Sequence, residues 1–167
     1  MSEQIVSKKI EVINTTKIFG KNAKRASQLL KEGKTKSEIL KATGATVGVK
    51  NASFDVYEGE IFVIMGLSGS GKSTLIRCLN MLNRPTAGSI YVDGEDITKY
   101  NKQQLRNYRQ QKIAMVFQHF GLFSHRTILA NIEYGLDIKG LSTEERHEIE
   151  QYNLELVGLK GWEDKYP

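Results

Sequence analysis

The stretch Ile61-Phe62-Val63-Ile64-Met65-Gly66-Leu67-Ser68-Gly69-Ser70-Gly71-Lys72-Ser73-Thr74 decides how the rest of the chain is read. Its first five residues are a short apolar run bounded by turn residues, the pattern of a strand buried on both faces. The next eight carry the spacing G-x-x-x-x-G-K-[ST]. Gly66, Gly69 and Gly71 free the backbone to turn successive N–H groups into one concavity, with Ser68 and Ser70 between them. A helix predicted from Lys72 to about Leu82 brings the positive end of its dipole to the same place. Lys72 supplies a mobile charge for β- and γ-phosphates, Ser73 a hydroxyl oxygen for Mg²⁺, and Thr74 a further phosphate contact. Four fixed positions arise by accident in well under ~1% of chains of this length. An accidental Gly/Ser turn would also lack the strand before and the helix after. The stretch reads as a nucleoside-triphosphate site.

The surrounding composition narrows the classes. A chain of 167 residues has the size of one domain and buries enough surface to need no disulfide or metal staple. With 40% hydrophobic and 26% charged residues, collagen-like, low-complexity and wholly disordered readings are excluded. Cys78 is the sole cysteine, which rules out an internal disulfide and fits a reducing compartment. No apolar run is longer than that of Ile61 to Met65, far short of the roughly 20 residues of a spanning helix. The first twenty residues lack the apolar centre of a secretion signal. The expectation is a cytosolic protein, or the cytosolic face of a larger assembly. Net charge is +5, but residues 1–50 hold eleven Lys or Arg against four acids, and residues 51–167 thirteen against fifteen. The basicity belongs to the N-terminal third.

Working outward, Lys9 to Thr16 and Thr46 to Tyr57 read as strands, separated by a basic helical hairpin from Asn22 to Gly44. Leu29, Leu30, Ile39 and Leu40 give that hairpin an apolar stripe, Thr35 with Glu38 a capping box, and Gly44 a stop. Ser89 to Val92, the turn Asp93-Gly94 and Glu95 to Thr98 read as strand, turn and return. Asn101 to Gln111 is a polar helix, and Ile113 to Phe117 a second buried strand ending at Gln118. Thr127 caps a helix to Ile138, and Ser142 with Glu145 opens another to about Val157, whose run from Glu144 to Glu150 reads as a solvated face. Strand, loop, helix and further buried strand predict an α/β fold with a parallel core sheet. His119, His125 and His147 are not spaced as a metal site, and Asp93 reads as a turn residue rather than a magnesium ligand. Cys78 reads as a small buried apolar group.

From about Lys9 onward the chain resembles the nucleotide-binding subunit of an ABC transporter. Beyond the loop, Ile113-Ala114-Met115-Val116-Phe117-Gln118 is similar to that family's Q-loop strand and glutamine, and Thr86 to Gly94 to the stretch after its first helix. The resemblance implies ATP and Mg²⁺ as ligands, with Gln118 positioning metal and attacking water and the segment after it touching a membrane subunit. Phe19 sits where the family places an aromatic that stacks on adenine; a core aromatic is the alternative reading. The hairpin at 22–43, Gly44 to Val49, Leu67 and Phe120 to Thr127 resemble the branch that imports glycine betaine, proline and related quaternary amines, with Ser124 where that branch commonly has proline. The hairpin reads as solvated, and its charge also suits anionic lipid headgroups.

This resemblance implies a P-loop ATPase fold of the ABC type: a parallel core sheet, an N-terminal antiparallel β subdomain and part of a helical subdomain. Residues 1–167 are then the N-terminal part of a nucleotide-binding domain, with the insertion at 22–43, a core from phosphate loop to Q-loop at 61–118 and a partial helical subdomain at 127–167. Implied partners are a second copy of the subunit, a transmembrane permease and, indirectly, a substrate-binding protein or domain, at the cytoplasmic face of the membrane and without nucleic acid. A soluble P-loop kinase or GTPase, or a non-transport ABC ATPase, is the alternative. No NKxD-type base-reading motif or Arg-rich lid is found, and salt-dependent nucleic-acid binding would mark a third class. The family's LSGGQ-like signature, Asp-Glu strand end and switch histidine do not occur in these residues. The 167 residues alone are therefore expected to release no phosphate from ATP above background. A phosphate-release assay checks this, and turnover that disappears on Lys72→Ala would contradict it.

Overall fold

The computed structural model describes residues 7–117 and 121–167. The chain divides into two compact units, Met1–Asn107 and Tyr108–Pro167. The first is built on a four-stranded antiparallel sheet in the order β2-β1-β3-β4, with β1 at Lys8–Phe19, β2 at Thr46–Tyr57, β3 at Ala87–Val92 and β4 at Glu95–Asp96. The β3–β4 turn holds Asp93 and Gly94 at φ 50° and 79°, as a type I′ hairpin requires. Lys9 pairs with Asp93 at 2.7 Å, so this carboxylate belongs to the turn. Asn14 of β1 and Asn51 of β2, both at φ 46°, lie where the β1–β2 register is irregular. A second irregularity matters more. Lys17 pairs with Val49 but Ile18 with Val47, which leaves Gly48 as the extra residue of a bulge.

The insertion folds as the sequence predicts. Helices α1, Ala23–Lys31, and α2, Lys36–Thr43, form a hairpin between β1 and β2. Thr35 and Glu38 make a reciprocal capping box, and Gly44 ends α2 in the left-handed conformation. The hairpin is more than a solvated appendage. Ala26, Leu29, Leu30 and Ile39 share one buried cluster with Ile18, Ala45 and Val47 at the ends of β1 and β2. The Asn22 side chain donates to the Thr43 carbonyl at 2.9 Å and closes the hairpin's base. Leu40 departs from the predicted stripe: it is 49% exposed, one residue past the buried Ile39 and therefore turned about 100° away.

Downstream in this unit, helix α3 covers Lys72–Leu79 and ends three residues before the predicted Leu82. Met81 at φ 57° breaks the helical path. Cys78 is fully buried, and burial pushes its thiol up. A 3₁₀ turn at Ile97–Lys99 precedes helix α4, Lys102–Gln111, within which the division between the units falls; at its start Asn101 and Gln104 exchange side-chain and backbone hydrogen bonds.

In the second unit, helix α5 runs Ile128–Ile138 and α6 Thr143–Leu156, with the predicted caps at Thr127 and Ser142. The N–H groups of Ile128 and Leu129, unpaired within a helix's first turn, donate to the carbonyls of Lys165 and Glu163. The expected solvated face of Glu144 to Glu150 is interrupted at its end. Glu150 is 2% exposed, because it lies one turn before the fully buried Leu154. Burial, and then Glu133, push its carboxyl above the ordinary range.

The parallel core strands predicted from the two apolar runs do not form a ladder. Among the described residues the ladders are those of β1 to β4, all antiparallel. Ile61 is 91% exposed, Met65 85% and Val116 97%. A parallel strand takes its hydrogen bonds from strands at its sides and its burial from covering helices. Neither apolar run has such strands among the described residues of its unit. The α/β class and the N-terminal antiparallel sheet do match the expectation.

Two consequences are measurable. Ile39→Ala is expected to destabilise the hairpin by about 2–5 kcal/mol, while Leu40→Ala stays within about 0.5 kcal/mol, as read by chemical denaturation. The N–H and hydroxyl of Thr35 hold the Glu38 carboxyl below its ordinary 4.5, and Ser142 does the same for Glu145. A carboxyl lowered on folding stabilises above its unfolded value and loses that contribution as pH falls through the lowered one. Thr35→Ala keeps the N–H and loses only the hydroxyl, so it should flatten the acid side of the stability–pH curve in part, and Glu38→Gln should remove the Glu38 contribution altogether.

Candidate functional site

The loop after Met65 has the local geometry of an anion cradle. Gly69 and Gly71 are at φ 76° and 103°, and Ser70 N–H donates to the Leu67 carbonyl at 3.2 Å. Gly71 is the N-cap of α3, and its carbonyl accepts from Leu75 N–H at 2.9 Å. The free N–H groups of the first turn and the positive end of the helix dipole thus face the loop. Lys72 Nζ donates to the carbonyls of Gly66 and Leu67 at 2.7 and 2.8 Å. The ammonium is held across the loop it is expected to serve. Ser68 is exposed within the loop and Ser73 on the first turn of α3; Thr74 is half-buried.

Phe19, expected as the base-stacking aromatic, is about fifty residues away in sequence, yet the fold brings it to the same place. The link is Gly48. A β-carbon on Gly48 would lie 2.8 Å from Phe19 Cε2 and 3.1 Å from Thr74 Cγ2. A β-carbon on Gly71 would lie 2.2 Å from the Gly48 carbonyl oxygen. The aromatic ring, the first turn of α3 and the loop's last glycine therefore meet on one bulged residue of β2. Phe19 as a residue remains 39% exposed, more than a fully packed core aromatic. Its environment is cationic, with Lys17 Nζ 5.0 Å from the ring centroid.

Gln118, the remaining expected site residue, lies outside the described residues, as do His119 and Phe120. Among the described residues no cluster of His, Cys, Asp or Glu is arranged to hold a metal. Magnesium is a hard cation that keeps several waters and takes few protein oxygens, and the accessible Ser73 hydroxyl fits one such position. Gly48 and Lys17 were not marked as site residues by the sequence. The available signal was the glycine inside a predicted strand, which marks a bulge or a close backbone approach.

Residues 49–167 match the family described as ABC transporter. The glycine betaine transport ATP-binding protein OpuAA of Bacillus subtilis (strain 168) is 62% identical over 159 residues, 95% of this chain and 38% of that protein. The glycine betaine/proline betaine transport system ATP-binding protein ProV of Escherichia coli (strain K12) is 48% identical over 95% of this chain and 40% of its own length. The chain spans about two fifths of the length of these curated relatives. Among solved structures, the dimeric post-hydrolysis state of the ATP-binding cassette MJ0796, bound to ADP and Pi, superposes with a TM-score of 0.75 at 28% identity, covering 95% of this chain and 61% of that one. With the matched region taking in the phosphate loop, α3 and everything after them, this chain belongs to the ABC transporter family.

Proposed function

We propose that this chain supplies the ATP-binding site of a subunit whose full-length form hydrolyses ATP to power import of glycine betaine- or proline-type osmoprotectants through a membrane permease. The observation that carries the nucleotide part is the meeting of Phe19, Thr74 and Gly71 on Gly48, which sets an exposed aromatic face beside an anion cradle. The transport part is supported by the 62% identity to a glycine betaine transport ATP-binding protein. The phosphates would lie on the N–H groups of residues 66–73, with the α3 dipole and Lys72 balancing their charge. Ser73 would hold Mg²⁺, with Gln118 as a second ligand that also orients the attacking water. A metal held there would supply positive charge against the negative charge that develops on the phosphates. A second copy of the subunit and a membrane permease are the partners this reading calls for, and the working location is the cytoplasmic face of the membrane. No described helix is long and apolar enough to cross a membrane, consistent with a peripheral subunit.

Lys72→Ala tests the reading. It is expected to lower ATP hydrolysis by the assembled transporter about 100-fold or more, with parallel loss of radiolabelled glycine betaine uptake. Uptake that survives Lys72→Ala, preference for GTP over ATP, or phosphoryl transfer to a small acceptor would overturn it.

A further inference from the structure

The position of the Phe19 ring is set by two residues that touch no phosphate. Gly48 lies at the bulge where β1 and β2 slip by one residue, and its bare α-carbon faces the ring edge. Any side chain there would meet Cε2 at 2.8 Å and Cδ2 at 3.4 Å, whereas the Thr74 methyl, at 3.1 Å, need give by only a few tenths of an ångström. On the same strand as Phe19 and two residues earlier, Lys17 projects to the same side of the sheet. Its Nζ sits 5.0 Å from the ring centroid and donates to the Arg84 carbonyl at 2.9 Å. The ammonium is therefore anchored at one end and lies over the ring at the other. A cation fixed over the ring is attracted by its π-face and draws electron density toward itself. The ring is thus blocked at its edge by Gly48 and held by Lys17, and it stays partly open to solvent.

We propose that Gly48 and Lys17 are positioning residues that fix Phe19 as the platform for the base of a nucleoside triphosphate. The bulge at Gly48 sets the span between base and phosphates, because the same residue packs against Gly71 of the loop. This rests on the nucleotide-binding reading above and adds to it the device that aligns the two halves of the site. If a β-carbon is added at Gly48, the Phe19 ring gives way first, since it is the rotatable group in closest approach. Base recognition is lost while the phosphate cradle is retained. Removing the Lys17 charge while keeping an apolar stem of similar length loosens the ring without touching the glycine.

Calorimetric titration of the protein with magnesium ATP and with magnesium tripolyphosphate, which has no base, separates the effects. Gly48→Ala and Lys17→Met are each expected to lower ATP affinity about five- to a hundredfold, the range for losing one base–aromatic stack. Tripolyphosphate affinity should stay within about twofold, and neither substitution should add more than that to Phe19→Ala. Equal weakening of ATP and tripolyphosphate, or full additivity with Phe19→Ala, would overturn the proposal while leaving the nucleotide reading intact. Should Gly48→Ala unfold, Lys17→Met decides between the same two outcomes by itself. Failure of the unsubstituted protein to bind either ligand would overturn the nucleotide reading and the platform with it.

Discussion

The packing of Gly71 on the Gly48 carbonyl is the constraint around which the nucleotide-binding half of this chain is arranged. At a 2.2 Å approach no β-carbon fits, and Gly71 also needs its φ of 103° to cap α3. One contact therefore couples three things: the end of the phosphate loop, the start of the helix that supplies the dipole, and a bulge in the antiparallel sheet. Without the bulge, Gly48 would be a paired strand residue, and the β1–β2 pairing would not shift between Lys17 and Ile18. The sheet is a scaffold whose irregular point, more than its regular ladder, carries the site.

The basic hairpin takes on a different meaning beside that contact. Its core side chains Ala26, Leu29, Leu30 and Ile39 close over Ile18, Ala45 and Val47. Ile18 is the residue before Phe19, and Val47 the residue before Gly48. The insertion thus braces the strand ends that bear the aromatic ring and the bulge. Its lysines face outward because burying a charged amine without a partner is expensive, whereas the apolar side has a sheet to cover. The hairpin's six Lys or Arg against two acids put much of the N-terminal charge excess on this outward face, while Lys17 stands beside Phe19.

Elements governed by local chemistry were legible in the sequence. Both capping boxes and the Thr127 cap follow from side chains reaching backbone groups three residues away, and the Asp93-Gly94 turn and the Gly44 stop from residues that accept a positive φ; all appear as read. The loop was legible because its chemistry is written in consecutive residues. Gln118 lies outside the described residues, so its role rests on family resemblance alone. The strands at Ile61–Met65 and Ile113–Phe117 were read from apolar runs, but a run states only that burial is wanted. A ladder depends on strands elsewhere, which the described parts of the two units do not supply. Gly48 and Lys17 escaped notice because their importance comes from a one-residue register slip between strands distant in sequence. Glu150 escaped because a charged run hides the one position that shares a face with Leu154.

The dependence of the phosphate loop on its contact with the sheet is tested most directly by the affinity of Gly71→Ala for magnesium tripolyphosphate and magnesium ATP. Both affinities are expected to fall together by about tenfold or more, since a strained backbone and a clash with the Gly48 carbonyl distort the cradle itself. Unchanged affinity for either ligand would contradict this, because the loop would then hold its phosphates without help from the bulge.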